Sequence, residues 1–320
     1  MSRPLLCETV TGSTMTELRR ARDAAIGADL VELRIDTVSD PDVAGALADR
    51  RAPVIVTCRP VWEGGRFEGP EEDRKRLLSE ALDLGADYVD IEWRAGFVDL
   101  IARTHGRRIV LSSHEFDRMP DDLAQRSRAM FATGAEVIKI AATVHRLCEC
   151  LRFRSLTEDS TGAQKHAWIG MGEAGDVTRI LAACFGSAWT YAGDLEGIGQ
   201  LTTSRLLATF RFTHISDSTE IYGAIGRGEQ RFILPSMINA AFAATDSDAV
   251  CVPLVAADAD DLAEFSDSLI LKGVAISLPR PEIADDDRLV SATAEQVRLW
   301  TGLQVSDEVL RATLLAYRSH

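Results

Sequence analysis

The sequence lacks long apolar runs and has few basic residues for its size. No stretch approaches the roughly 18–20 apolar residues that cross a membrane, and the start, Met1-Ser2-Arg3-Pro4, has no signal-peptide core. Asp and Glu outnumber Lys and Arg by 49 to 35, which gives a net charge of −14. We therefore predict a cytoplasmic protein that binds neither nucleic acid nor membranes and that holds an anionic substrate with local arginines.

Cysteine is also sparse, and its spacing fits neither a disulfide framework nor a metal site. The six cysteines are scattered through apolar stretches, which is typical of reduced core thiols. Cys148 and Cys150 form a pair with no second pair or histidines at ligand spacing. The run Met171–Gly175 lacks the P-loop pattern, and its acidic residue would repel phosphate. We predict no metal and no cofactor.

What the sequence does contain, up to about residue 213, is an alternation of short β-rich apolar runs with amphipathic helical stretches. Eight such runs in this length fit a compact (β/α)8, or TIM, barrel, in which reactive side chains lie at the C-terminal ends of the strands. The predicted strands are Leu5–Val10, Leu30–Asp36, Val54–Arg59, Tyr88–Glu92, Arg108–His114, Val137–Ala141, Ala167–Gly172 and Ala188–Ala192.

Polar residues repeatedly end these predicted strands. The polar residues at the ends of the second to sixth runs are Glu32, Arg34, Asp36, Arg59, Asp90, Glu92, His114, Glu115 and Lys139. Alternating charges such as those of the second run could also form a solvated strand face. Inside a closed barrel, however, they must pair with one another or with a ligand. We therefore predict a functional site at this end of the barrel.

Lys139 stands within the apolar run Val137–Ala141. Burying an ammonium group without a partner costs several kcal/mol or favours the neutral amine. A neutral lysine at the mouth of an α/β core is a Schiff-base nucleophile. The alternative is a lysine that snorkels to water at a strand terminus, and the polar residues at the same end of the barrel favour the nucleophile.

Together the motifs resemble type I 3-dehydroquinate dehydratase, a Schiff-base barrel enzyme of the shikimate pathway. Each motif is weak alone, but the ordered set is specific and spans about Leu5 to Phe212. The matching segments are Val31–Asp36, Thr57–Arg59, Glu63–Gly65, Val89–Glu92, Ser112–Phe116, Val137–Ala141 and Met171–Arg179. The chain departs from the family pattern at Ile169-Gly170-Met171 and at Glu196-Gly197-Ile198 before Gly199-Gln200.

The resemblance implies a role for each matching residue. Lys139 would form an imine with the ketone of 3-dehydroquinate, and His114 would act as general base and then general acid, oriented by Glu63. The implied substrate-binding residues are Glu32, Arg34, Arg59, Arg179, Gln200 and Met171. Among them Arg179 would hold the substrate carboxylate, although by sequence alone it could equally be a surface cation.

After Thr213 the polar stretch Ser216–Thr219 marks a linker. The following segments resemble the substrate-binding domain of shikimate dehydrogenase, which plant-type bifunctional enzymes join to the dehydratase in this order. These segments are Glu220–Gly226, Leu234–Phe242, Val250–Leu254 and Lys272–Pro279. We therefore predict a dehydratase barrel over residues 1–215 and a second, smaller α/β domain over 216–320.

The second part departs from the dehydrogenase family at its functional positions. Where that family has two substrate-binding serines, a catalytic lysine and a substrate-binding glutamine, this chain has Phe232, Leu234, Pro281 and Ala292. No glycine-rich dinucleotide motif follows, and near Asp285–Arg288 the chain passes to a segment similar to the dehydrogenase's last helices. The resemblance implies a remnant without a Rossmann domain, NADP binding or dehydrogenase activity.

Alternatives stay open for both parts of the chain. The barrel is an active dehydratase, another class I Schiff-base lyase or aldolase, or a pseudo-enzyme scaffold. His114, Glu63 and Arg179 favour the dehydratase, and a retained buried lysine opposes the scaffold. The remnant is structural or oligomer-forming, as in a homodimer, or it is a repurposed ligand site.

Overall fold

The structure, a computed structural model, describes residues 3–158, 164–195, 199–276 and 285–319. Within the first two thirds of these ranges, eight strands alternate with helices. The strands are β1 (Leu5–Val10), β2 (Leu30–Arg34), β3 (Val54–Thr57), β4 (Tyr88–Glu92), β5 (Ile109–Glu115), β6 (Val137–Thr143), β7 (Lys165–Met171) and β8 (Trp189–Gly193). The helices are α1 (Met15–Ala24), α2 (Val43–Leu47), α3 (Glu71–Asp83), α4 (Val98–Arg103), α5 (Leu123–Phe131), α6 (Leu151–Glu158) and α7 (Asp176–Ile180).

The strands of the first part pair in parallel in one continuous order. Hydrogen-bonded neighbours follow the order β7-β6-β5-β4-β3-β2-β1-β8. At the seam between β7 and β8, the Ala188 N–H donates to the His166 carbonyl over 2.7 Å. This nearly closed parallel sheet, with its helices, confirms the predicted (β/α)8 TIM barrel.

Strand β2 ends two residues earlier than predicted. The Thr37 hydroxyl donates to the carbonyl of Arg34 over 2.8 Å and to that of Gly12 over 2.9 Å. These bonds turn the chain into a short 3-10 helix, Ile35–Thr37. The prediction that Asp36 lies in the strand is therefore wrong, because it belongs to the turn that follows. In the same way, Arg59 lies just beyond the end of β3.

Further short helices connect the main elements. The 3-10 helices are Ile35–Thr37, Val61–Glu63, Trp93–Ala95, Leu147–Cys150, Glu173–Gly175, Phe212–His214 and Glu229–Phe232, and a π-helical turn covers Arg205–Thr209. Several of them directly follow barrel strands, at the end where polar residues were predicted to gather. They fix the backbone that carries those residues.

Apolar side chains from alternate strand positions fill the interior of the barrel. Leu30 of β2, Val137 of β6 and Trp189 of β8 belong to one buried cluster there. Side chains two residues further along a strand lie on the same face. Glu32 and Lys139 therefore point into the barrel above this apolar layer, towards the C-terminal ends of the strands.

The C-terminal part is a smaller α/β region. Its strands β9 (Glu220–Ile225), β10 (Ala249–Leu254) and β11 (Gly273–Ile276) form a parallel sheet in the order β10-β9-β11. Its helices are α8 (Ile233–Ala244), α9 (Ala259–Leu269), α10 (Asp286–Thr301) and α11 (Asp307–Arg318). The longest of these, α10, has 16 residues, and in the ranges given above no helix is long and apolar enough to cross a bilayer.

The C-terminal region packs directly on the barrel. Ile221, Val250 and Phe265 belong to the same buried apolar cluster as many barrel residues, here called the shared cluster. Beside it, the buried carboxylate of Asp261 accepts hydrogen bonds from the backbone N–H groups of Leu147 over 2.9 Å and Cys148 over 2.7 Å. The loop after β6 therefore depends on the C-terminal region for two of its backbone hydrogen bonds.

The shared cluster leads to a prediction for Phe265, which is fully buried in it. Phe265→Ala removes a large apolar side chain and leaves a cavity, so we expect a loss of about 3–5 kcal/mol in the free energy of unfolding. Urea unfolding followed by fluorescence and circular dichroism measures this loss. The matched control is Ile270→Ala at an exposed position, where a change within about 0.5 kcal/mol is expected. Equal losses for both variants would contradict the shared cluster.

Candidate active site

A cavity of about 470 Å³ opens at the C-terminal ends of the barrel strands. The residues predicted from the sequence that line it are Lys139, His114, Glu63, Glu32, Arg34, Arg59, Arg179, Gln200 and Met171. They come from six different strands or the loops after them, so only the closed barrel brings them together. Their individual roles stay predictions.

The Lys139 side chain is buried, with 5% of the residue exposed. Its Nζ lies 3.1 Å from Asp90 Oδ2 and 3.6 Å from Glu32 Oε1, and 4.1 Å from the centre of the Tyr191 ring. Two carboxylates and an aromatic face offset the desolvation of the amine. The alternative of a lysine that snorkels to water is therefore wrong.

Asp90 is the counter-charge at the centre of the site. It is fully buried and accepts hydrogen bonds from the Ser112 hydroxyl over 2.5 Å and from Lys139, and it pairs with Arg59 over 2.9 Å. Burial raises the pKa of Asp90, but the charges of Arg59 and Lys139 outweigh burial and hold that pKa well below its usual range. Asp90 therefore stays ionised at neutral pH.

Glu32 is the second carboxylate beside the amine. It accepts hydrogen bonds from the hydroxyls of Thr9 and Thr57, each over 2.8 Å. Burial alone would raise the pKa of Glu32, yet the nearby charge of Lys139 contributes to lowering it. The sequence identified Glu32 as a site residue but assigned Asp90 no role, although Asp90 lies near the end of the fourth predicted strand.

Arg59 is fixed by a buried ion-pair network. Its guanidinium donates to Glu92 over 2.6 Å and to the Ser112 hydroxyl over 2.8 Å. Glu92 also binds Arg74, a fully buried residue of α3. The sequence pattern did not indicate Arg74, because a residue in a helix with many charges gives no sign that it is buried.

His114 and Glu63 form a second polar pair in the cavity. His114 Nδ1 lies 3.0 Å from Glu63 Oε1, and the same oxygen accepts the backbone N–H of His114 over 3.0 Å. Burial, together with the charges of Arg59 and Lys139, lowers the pKa of His114 well below its ordinary value. Burial also raises the pKa of Glu63 to about 7, although Arg59 opposes that rise. The imidazole is thus neutral at pH 7 and able to accept a proton.

The loop after β3 covers this pair and depends on two glycines. Gly64 has a φ of +76°, and a Cβ there would lie 2.4 Å from the Phe116 ring. A Cβ on Gly65 would lie 2.0 Å from the carbonyl oxygen of Arg59. Only glycine fits these close approaches, so packing requires glycine at both positions.

Arg34 is held at the rim of the cavity by Asp36. Two hydrogen bonds of 2.9 and 2.8 Å join its guanidinium to the carboxylate. Asp36 also accepts the backbone N–H of Arg66 over 3.1 Å. Asp36, in the turn after β2, therefore links Arg34 to the loop that covers the site.

Arg179 lies on α7 with only 1% of the residue exposed. Its guanidinium donates to the Tyr191 carbonyl over 3.1 Å, while its buried Nε has no hydrogen-bond partner among the described residues. Burial lowers the pKa of Arg179 to about 10, so it remains a cation at neutral pH. The surface-cation alternative is wrong, and the buried charge is suited to an anionic ligand group.

Gln200 and Met171 complete the cavity wall. The Gln200 side chain donates to the Thr9 hydroxyl over 3.4 Å and accepts the Leu195 N–H over 3.3 Å. Met171 is buried at the end of β7. The departures from the family pattern at residues 196–198 lie outside the described residues. Within the described part of the chain, no three His, Cys, Asp or Glu side chains gather to hold a metal ion.

Comparison with known proteins agrees with this architecture. The profile of the family described as "Type I 3-dehydroquinase" matches residues 6–217. A 3-dehydroquinate dehydratase of Desulfotalea psychrophila is 29% identical over 218 residues, covering 64% of this chain and 96% of that protein.

Two relatives extend the similarity into the C-terminal region. The chloroplastic bifunctional 3-dehydroquinate dehydratase/shikimate dehydrogenase of Arabidopsis thaliana is 29% identical over 297 residues, which cover 88% of this chain. The chain spans about half of that relative, 49%. The solved dehydroquinate dehydratase and shikimate dehydrogenase structure from S. pombe has a TM-score of 0.54 at 20% identity and covers 91% of this chain and 61% of its own. At that identity it shows the fold alone.

The environment of His114 gives a prediction that needs no substrate. Because burial and two nearby cations lower its pKa, the ring signals of His114 in proton–carbon NMR spectra are expected to keep their neutral positions from about pH 8 to about pH 6, whereas an unperturbed histidine titrates near 6.5. His114→Asn assigns the signals by removing them. A His114 signal that titrates at pH 6.5 or above would contradict this electrostatic description.

Proposed function

The chain belongs to the type I 3-dehydroquinase family, and we propose that its barrel dehydrates 3-dehydroquinate to 3-dehydroshikimate through an imine on Lys139. One observation carries the proposal: a buried amine with an ionised counter-charge shares a cavity with a neutral, oriented imidazole. These are the nucleophile and the proton acceptor that imine-assisted elimination requires. No cofactor is part of the proposal.

The proposed reaction begins with a bond between Lys139 Nζ and the ketone carbon of the substrate. Loss of water from this adduct gives the imine, which acidifies the neighbouring C–H. His114 takes that proton, and it then donates a proton to the departing C1 hydroxyl, which leaves as water. Hydrolysis of the product imine releases 3-dehydroshikimate and restores the amine. The low pKa of Asp90 keeps a negative charge 3.1 Å from this nitrogen, where it would stabilise the protonated imine.

The remaining cavity residues are proposed to bind and orient the substrate. Arg179 is buried, and its Nε has no hydrogen-bond partner in the described part of the chain, so it would hold the carboxylate. Glu32, Arg34, Arg59 and Gln200 supply polar groups for the ring hydroxyls, and Met171 gives an apolar wall. Glu63 orients His114 through the Nδ1 contact. Each of these assignments remains a proposal that substitution can test.

Another Schiff-base lyase or aldolase would use the same lysine, but the Arg179 cation and the His114–Glu63 pair favour a carboxylated substrate that loses a proton and a hydroxyl. A pseudo-enzyme scaffold is disfavoured because a buried lysine with two carboxylate partners is costly to keep without use. The dehydratase is therefore the function that the geometry supports best.

Borohydride reduction in the presence of 3-dehydroquinate tests the imine. We expect intact mass spectrometry to show one covalent adduct, and peptide mapping to locate it on Lys139, since reduction converts the imine into a stable amine. Lys139→Met should abolish both the adduct and turnover, with a loss of at least about a thousandfold. An adduct on another lysine, or the absence of any adduct, would contradict the mechanism.

His114→Ala serves as the matched variant for this experiment. It removes the proton acceptor but leaves the amine, so the adduct should still form while kcat falls by about 10²–10⁴-fold. If His114→Ala converted 3-dehydroquinate at the normal rate, His114 would not be the base, even if the imine on Lys139 were confirmed. Turnover of aldol substrates, with no turnover of 3-dehydroquinate, would favour the aldolase.

For residues 216–320 we propose a shikimate dehydrogenase substrate domain that has lost its chemistry. Phe232, at the position of a family serine, is fully buried, and its ring centre lies 4.2 and 4.1 Å from the guanidinium carbons of Arg205 and Arg231. A side chain packed between two arginines is a core residue. Pro281, at the position of the catalytic lysine, lies outside the described residues. The domain boundary at 215/216, a homodimer and a cytoplasmic location stay predictions.

The loss of dehydrogenase chemistry is tested with NADPH and 3-dehydroshikimate. We expect no oxidation of NADPH above the rate without protein, because the family's lysine and serines are replaced and the chain has no glycine-rich dinucleotide motif. Pro281→Lys should restore nothing, since a lysine alone cannot bind the nucleotide. Measurable reduction by either protein would refute the idea of an excised nucleotide domain.

A further inference from the structure

One buried ion pair crosses from the C-terminal region to the active-site wall of the barrel. Arg231, in the 3-10 helix Glu229–Phe232, donates from Nε to Asp176 Oδ2 over 2.8 Å. The side chain of Asp176 is fully buried, and 8% of the Arg231 side chain is exposed. Asp176 is the first residue of α7, the short helix that carries Arg179.

The same arginine also holds the turn before α7. Its NH1 group donates to Glu173 over 3.3 Å, and the backbone N–H of Gly228 donates to the other Glu173 oxygen over 3.2 Å. Arg231 is itself fixed, because NH1 donates to the Gly228 carbonyl over 2.6 Å. Residues of the C-terminal region therefore hold the Glu173 side chain, which belongs to the turn that leads into α7.

On the barrel side, Asp176 and Arg179 lie three positions apart on one helix, and neighbours at this spacing share a face. The Oδ1 of Asp176 and the Nε of Arg179 are both buried and have no hydrogen-bond partner among the described residues. The carboxylate thus has one oxygen committed to Arg231 and acts on Arg179 through its charge.

These side chains form a row of alternating charge: Glu173, Arg231, Asp176 and Arg179. In the proposed function, the substrate carboxylate would extend that row beyond Arg179. Arg231 cancels the charge of Asp176, so Arg179 keeps its attraction for an anion. Without Arg231, a buried and unmatched carboxylate would oppose the substrate carboxylate across Arg179.

We propose that Arg231 is a positioning residue for the barrel site, which neutralises and holds Asp176 so that Arg179 binds the substrate carboxylate. This inference rests on the proposed dehydratase function, and it assigns the C-terminal region a part in substrate affinity. Arg231 does not line the cavity, so it acts through Asp176 and α7. Its removal should weaken substrate binding far more than the chemical step.

The titration of Asp176 gives this role a distinctive pH dependence. The charged and titratable groups that face Asp176 are Arg231, Arg179, Glu173 and the Cys150 thiol. Burial raises the pKa of Asp176 to about 6, although Arg231 and Arg179 lower it. Loss of Arg231 must raise it further. Below the new pKa the carboxyl group is neutral and Arg179 is unopposed, whereas above it the negative charge returns. The defect should therefore grow with pH.

The test compares steady-state kinetics of the full-length wild type and Arg231→Met between about pH 6 and pH 8.5. We expect KM for 3-dehydroquinate to rise roughly tenfold in the variant at the upper end, within the usual range for coupled sites. The ratio of the two KM values should approach one at the lower end, and kcat should change less than about threefold. Arg231→Lys, which keeps the charge, should recover much of the affinity.

Two further variants separate positioning from general structural support. In Asp176→Asn/Arg231→Met the charge that Arg231 neutralises is absent, so KM should return to within about threefold of the wild type at every pH. Arg146→Met breaks the Arg146–Asp258 pair of 2.8 Å across the same interface, away from α7. It should leave KM unchanged. If Arg231→Met fails to fold, the KM values of Arg231→Lys and the double variant distinguish a positioning role from general structural support.

Calorimetry measures the binding of an analogue whose 3-ketone is reduced to a hydroxyl. This analogue cannot form an imine, so the experiment reports affinity alone. Its dissociation constant should follow the same pattern as KM. If Arg231→Met has the same KM as Arg146→Met at high pH, the inference is wrong. It is also wrong if the double variant binds substrate as weakly as Arg231→Met. Neither result would contradict the proposed function. Failure of the wild type to turn over 3-dehydroquinate would instead overturn the proposed function.

Discussion

The pairing of buried charges inside the barrel is the constraint on which the rest of the site depends. Lys139, Arg59 and Arg74 bring cations into a region from which solvent is largely excluded. The carboxylates of Asp90, Glu92 and Glu32 neutralise them there. Removing one partner of such a pair leaves an unmatched buried charge, which is strongly destabilising. The network therefore fixes each side chain, and its cations add to burial in lowering the pKa of His114.

The barrel and most of its site could be predicted because their signals are local. Polar residues recur at the ends of apolar strands, and parallel strands closed into a barrel must bring those ends together. The end of β2 was misjudged because the Thr37 hydroxyl bonds two backbone carbonyls there, and strand propensity does not report such a turn. Asp90 was visible as a strand-end residue, but its role appears only when its distance from Lys139 is known.

Contacts between the barrel and the C-terminal region, and the burial of single charged side chains, could not be predicted. Arg231 and Asp176 lie 55 positions apart, and neither stands in a motif that indicates a partner. Arg74 looks like one charge among many on a surface helix, yet it is fully buried against Glu92. Burial of a charged side chain is decided by the packing of whole elements, so single-sequence patterns carry little information about it. The C-terminal region shows the same limit, since its resemblance to another enzyme says nothing about which barrel loop it covers.

The hydrogen bonds from Leu147 and Cys148 to Asp261 have an evolutionary consequence. A region that satisfies the backbone of its neighbour and shares its apolar core becomes difficult to delete, whether or not it retains a reaction of its own. Loss of the region would expose the apolar shared cluster and remove the carboxylate that accepts hydrogen bonds from two amide groups. Physical entrenchment of this kind preserves a domain through the needs of its neighbour, whatever the domain itself does.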